Sequence, residues 1–176
     1  MSEGLTSAPV SAHPLKGVTR AVGALSTLCG IVAATLIFVA VAVTCQMIFV
    51  RFVLGQSTIW QTEAVTYMMI GATLIGLPYV QKLRGHVNVD LVPMMLPDRA
   101  RKALAILVIL ASIAVLSVML WYGYELFHVA YVRGWTSDSV WGPPMWIPYV
   151  TLPIGFGLFI LQLVADLVDA LYGEDA

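Results

Sequence analysis

The chain has 176 residues, 60% of them hydrophobic and 11% charged, with a mean hydropathy of +0.89, a composition that calls for lipid rather than water as solvent. A net charge of −1 and a pI of about 6.2 offer no basic face to neutralise phosphates, which excludes nucleic acid as a partner. Cys29 and Cys45 share one apolar run, roughly 24 Å apart if it is helical, so they cannot pair, and with no CxxC or Cys/His cluster there is no zinc or iron–sulfur framework.

Residues 1–15 read as a flexible cytoplasmic tail, and residues 16–176 as a single membrane domain. Thirty consecutive residues, 21–50, carry no charge and are bracketed by Lys16, Arg20 and Arg51. The run is about twice the apolar length of a secretory signal, so it is predicted to be a permanent first transmembrane helix. Ser26, Gly30 and Ala34 recur at steps of four, a spacing that lets helix backbones approach closely in lipid, within this bundle or against another subunit. Leu28, Leu36 and Val43 point away from that stripe and read as lipid-facing.

A second span is predicted over residues 63–80, with Ala72 and Gly76 as its small packing residues. The loop that follows reads HVNVDLVPMMLPDRARKAL from His86 to Leu104. Asp90 can cap a short helix with Pro93 in its first turn and an apolar stripe of Leu91, Met94 and Met95, giving a helix that lies in the cytoplasmic interface. Asp98 is then the expected cap of the third span.

That third span is predicted over residues 102–124, with an apolar extension to 133 and Gly134 as its stop. The fourth runs over residues 148–171, where Pro153 is expected to loosen or kink the first turns. The fold expected is therefore all-α, a bundle of four tilted transmembrane helices with one short interfacial helix.

Seven basic residues, Lys16, Arg20, Lys82, Arg84, Arg99, Arg101 and Lys102, flank one side of these spans, against Arg51 and Arg133 on the other. The positive-inside rule then places both termini in the cytoplasm. All five tryptophans, Trp60, Trp121, Trp135, Trp141 and Trp146, fall at or between span ends on the outer side, where indole rings prefer the interface and form a belt.

Moving protons, ions or electrons through hydrocarbon requires ionisable groups at membrane depth. Glu63, Glu125, Asp166 and Asp169 instead lie in or beside terminal turns, as snorkelling or capping carboxylates. His86 and His128 are separated by roughly a bilayer thickness, so one haem iron cannot bind both. No nucleophile arrangement can be assembled, and the chain reads as neither enzyme nor cofactor carrier.

One ordered set of residues is more specific. Arg51 follows the first span, Trp60 precedes Glu63 by three, and Gly71 lies deep in the second helix. Arg84, Gly85, His86, Val87 and Asp90 follow, then Leu96, Pro97 and Arg101 lead into the third span. This pattern resembles the small permease subunit, DctQ-like, of the tripartite ATP-independent periplasmic (TRAP) transporters of bacterial inner membranes. The resemblance implies an accessory subunit packed on the static scaffold of a large membrane subunit, which holds the substrate and sodium sites, while a periplasmic binding protein delivers the solute. It implies phospholipid neighbours and no cofactor in this chain. Within the motif, Glu63 is placed for an ion pair with Arg51 or with a basic residue of the large subunit, and His86 and Asp90 for fixing the cytoplasmic loop. Two other readings stand beside it. A self-sufficient homo-oligomeric exporter would need a membrane-embedded carboxylate, and a haem-binding anchor of a respiratory enzyme is opposed by histidine placement.

Overall fold

The computed structural model describes residues 15–83 and 97–172. Four helices account for nearly all of them: α1 (Leu15–Val53), α2 (Trp60–Lys82), α3 (Asp98–Val132) and α4 (Trp146–Tyr172). Each is long and apolar enough to cross a membrane. The expected interfacial helix and the tail before Leu15 lie outside the described residues.

The helices outrun the apolar stretches that predict them. A hydrocarbon core about 30 Å thick takes about 20 helical residues, whereas α1 has 39 and α3 has 35. The extra turns carry the charges and aromatic groups that tolerate headgroups and water: Arg20 and Arg51 on α1, Arg101 at the start of α3 and Tyr131 at its end. One terminus differs in detail from expectation. Pro97, in extended conformation, and not Asp98, occupies the cap of α3, and its carbonyl accepts the N–H groups of Ala100 and Arg101 at 2.9 and 3.0 Å. At the far end α3 continues through Val132, and Gly134 takes the positive φ of 59° that turns the chain away. Helix α4 runs unbroken through Pro153.

Helix α4 is the centre of the bundle. It packs against α3, α2 and α1, and α2 lies in turn against α1. What is buried is small: Cys29, Ala33, Ala40, Ala72, Ala130 and Ala165 make up most of the apolar core, as expected where close backbone approach and dispersion drive association. Glycines create the tightest contacts. The ring of Tyr79 fills the space over Gly30, where an added Cβ would lie 2.4 Å from Cγ, and Gly76 sits so close over Ala33 that an added Cβ would come within 3.3 Å of the alanine Cβ. Large side chains point outward, among them Phe38, Phe52 and Val118, the reverse of a water-soluble protein.

Of the first-span stripe, Ser26 is buried and Gly30 is packed, while Ala34 is exposed and its neighbour Ala33 takes the inward position. Leu36, expected to face lipid, instead brings Cδ1 within 3.6 Å of the Cβ position of Gly71. Cys29 is buried and Cys45 exposed, both as free thiols.

Candidate functional site

Two polar clamps tie the helices together, one at each end of the bundle. The first is built on the loop between α3 and α4. Gly134 and Gly142, both at positive φ, let the loop fold back on itself. Ser137 N–H donates to Pro143 O at 3.0 Å and Met145 N–H to Trp135 O at 2.8 Å, closing an isolated bridge between Thr136 and Pro144. This folded loop presents two hydroxyls to Glu63 in the first turn of α2. Ser137 Oγ donates to Glu63 Oε1, and Ser139 Oγ donates to Oε2 at 2.5 Å.

Of the two partners expected for Glu63, Arg51 or a basic residue of the large subunit, Arg51 is not the one it meets here; serines more than seventy residues away in sequence hold it. Arg51 itself is exposed on the last turn of α1, and among the described residues no ion pair joins it to Glu63. Trp60 braces the same loop, its ring edge-on to Trp141 with centroids 6.3 Å apart. Trp146 meets Tyr131 edge-on at 6.1 Å, linking the start of α4 to the end of α3. Trp135 is part of the bridged loop, so four of the five tryptophans gather at this end. Trp121 does not: because α3 continues to Val132, it lies about three turns before the helix end and is exposed. Glu125 and His128 are likewise inside α3, with His128 stacked on Tyr124 at 6.1 Å.

The second clamp is where α1 begins and α4 finishes. Ser26 Oγ on α1 donates to Gln162 Oε1 on α4 at 2.6 Å, with both residues buried. Gln162 Nε2 donates to Asp166 Oδ1, and Gln81 Nε2 on α2 donates to Asp166 Oδ2, each at 2.8 Å. Lys82 Nζ reaches from α2 to Gly23 O at 2.7 Å and Thr27 Oγ1 at 2.6 Å on α1. Asp166 thus joins α4 to α2, and through Gln162 and Ser26 the network reaches α1; it is not a snorkelling group. Sequence reasoning passed over Gln81 and Gln162. The usable signal was Gln162 itself, a lone amide in an apolar run and four residues, one helical turn, before a carboxylate.

Of the remaining motif residues, Gly71 is buried between Leu36 and Thr151, and Arg101 is exposed. Arg84, Gly85, His86 and Asp90 lie outside the described residues. Ala72 is buried in α2 with Gly76 one turn on. No group of three or more His, Cys, Asp or Glu able to hold a metal exists among the described residues. Nearly all the polar contacts at the two ends join one helix or loop to another, which makes the clamps devices for rigidity.

Comparison with known proteins gives this scaffold a family. The family described as tripartite ATP-independent periplasmic transporters, DctQ component, matches residues 40–173. The chain belongs to that family. This DctQ-family chain is a transporter subunit and not an enzyme. It is 27% identical over 113 residues to the isethionate TRAP transporter permease protein DctMQ of Oleidesulfovibrio alaskensis, covering 64% of this chain and 18% of that one. It is 26% identical over 125 residues to the ectoine TRAP transporter small permease protein TeaB of Halomonas elongata, covering 71% of this chain and 64% of that one. It is 22% identical over 138 residues to the C4-dicarboxylate TRAP transporter small permease protein DctQ of Vibrio cholerae, covering 66% and 60%. The match therefore spans less than two thirds of each of these relatives.

Proposed function

We propose that this chain is the static accessory subunit of a sodium-driven TRAP transporter for solute uptake. It packs on the scaffold of a large membrane subunit and enlarges its anchorage in the bacterial inner membrane. Both termini face the cytoplasm, and a periplasmic binding protein supplies the solute to the complex.

The observation that carries this reading is the absence of any Asp, Glu, Lys, Arg or His from residues 21–50, 64–81, 103–124 and 147–165, the central lengths of the four helices. A transport path needs groups that bind or relay charge at membrane depth, so the path belongs to a partner. The relative DctMQ supports a pairing, since its name joins the Q component to another in one permease protein and the matched part is 18% of it. Sodium belongs to that partner, and no cofactor is assigned to this chain.

The test is reconstitution. This chain, a large TRAP permease subunit from the same genome and its binding protein are placed in proteoliposomes, with isethionate, ectoine and C4-dicarboxylates as trial solutes. Uptake is expected to follow an inward sodium gradient and to vanish when any component is omitted. Transport by this chain alone, or full uptake without it, overturns the reading.

A further inference from the structure

Two adjoining depressions lie at the end of the bundle where α1 begins and α4 finishes, and they share Thr19. One is a narrow groove of about 80 Å³ between α1 and α4, walled by Val22 on one side and Leu161, Val164 and Val168 on the other. The second is a shallow, open cleft of about 510 Å³, lined by Thr19, Arg20, Gly23, Ala24, Lys82 and Asp169. The groove runs from Val168 toward Leu161, away from the end of α4 and into the bundle. Arg20 stands immediately before the uncharged run of α1, the depth at which headgroups meet hydrocarbon.

We infer that this double site holds a phospholipid with an ethanolamine headgroup. Its phosphate meets Arg20 and Lys82, its ammonium meets Asp169, and part of one acyl chain lies in the apolar groove. Among the described residues the charges are complementary in kind and number, with two cations for the phosphate and one carboxylate for the amine. Lys82 spends two of its three N–H donors on Gly23 O and Thr27 Oγ1, leaving one for the cleft it lines. Asp166, the other carboxylate facing this region, has both oxygens engaged by Gln162 and Gln81. Asp169 has no hydrogen bond among the described residues and is the carboxylate on the cleft wall. A choline headgroup offers no N–H to it, and a glycerol headgroup offers no charge.

Native mass spectrometry of the full chain in mild detergent, with dioleoyl phosphatidylethanolamine, phosphatidylglycerol and phosphatidylcholine supplied at equal concentration, tests the site. Phosphatidylethanolamine is expected to be retained over phosphatidylcholine by about three- to tenfold, the size of one charge-assisted hydrogen bond. Arg20→Gln lowers retention of all three lipids. Asp169→Asn lowers retention of phosphatidylethanolamine more than that of phosphatidylcholine, which has only the charge attraction to lose, and so narrows the gap between them. Lys82 also ties α2 to α1, so Arg20→Gln carries the phosphate arm, with unchanged circular dichroism as its folding control. Millimolar inorganic phosphate leaves the lipid in place, because it cannot fill the groove. Equal retention of the three lipids, indifference to Arg20→Gln, or displacement by inorganic phosphate overturns the proposal, the last outcome identifying a free-anion site instead.

Discussion

The carbonyl of Leu74 on α2 lies directly against Gly155 on α4, where an added Cβ would come within 2.7 Å of its oxygen. The reason is four residues further along α2. Pro78, fully buried, has no N–H to return to Leu74, and the carbonyl so released is covered by a residue with no side chain. Pro78 and Gly155 therefore act together to bring α2 and α4 close.

Gly155→Ala should cost about 1–3 kcal/mol, the usual cost of overpacking, because the obstructing atoms are backbone and cannot swing aside. Gly157→Ala, two residues along the same helix and with nothing within 4 Å, provides the control and should be neutral or slightly stabilising. Thermal unfolding of the two variants in detergent checks the difference. Equal melting temperatures would remove Gly155 from the helix contact.

Gly30 and Tyr79 should be coupled. Gly30→Ala alone drives a methyl into the Tyr79 ring, whereas Tyr79→Ala alone opens a cavity. The double variant lets each change relieve the other, so its destabilisation should fall short of the sum by about 0.5–3 kcal/mol. A double-mutant cycle on unfolding free energy measures this, and additivity would contradict the packing described.

How far the sequence speaks is clear from these helices. The spans are legible because thirty uncharged residues in a row have few other uses. Ser26 and Gly30 are legible because small residues at helical spacing pack. Ala34 is misassigned because steps of four overshoot the helical repeat. At 3.6 residues per turn, position 34 lies roughly 80° beyond position 26, while position 33 lies roughly 20° short of a full turn. The Glu63 contact was out of reach for another reason. Arg51 is near in sequence, but the serine partners are brought in by a loop whose fold depends on Gly134, Gly142 and two long-range backbone bonds. Three of the four helices end beyond their apolar runs because arginines, tryptophans and caps, rather than hydrophobicity, decide where a helix stops in the headgroup layer.

Glu63→Gln should loosen the α3–α4 loop without unfolding the helices. A carboxylate accepts from both hydroxyls at once, whereas an amide keeps only one acceptor oxygen, so about 1–2 kcal/mol of local stability should be lost. Hydrogen exchange at Ser137 and Met145, whose amides close the loop on Pro143 and Trp135, should accelerate, while exchange in the middle of α2 stays unchanged. The Ser137→Ala/Ser139→Ala double variant should reproduce the effect. If exchange were faster throughout α2 as well, the clamp would be part of the bundle core and not a tether for the loop.

Gln162→Leu tests the opposite clamp and separates burial from hydrogen bonding. The substitution is more apolar and similar in size, so in lipid it should be well tolerated by packing alone. It nevertheless strips Ser26 Oγ of its acceptor and Asp166 Oδ1 of one donor. Hydrogen bonds between membrane helices contribute about 0.6 kcal/mol on average and up to about 1.7; the Ser26 bond is one of these and the Asp166 bond lies within α4, so the combined loss should lie toward the upper end of that range. Ser26→Ala removes only the first bond and should cost less. Combining Gln162→Leu with Ser26→Ala should add almost nothing to Gln162→Leu alone, because the hydroxyl has already lost its partner. Full additivity of the two changes would mean that Ser26 and Gln162 stabilise the bundle independently, and the network around Asp166 would then join only α4 and α2.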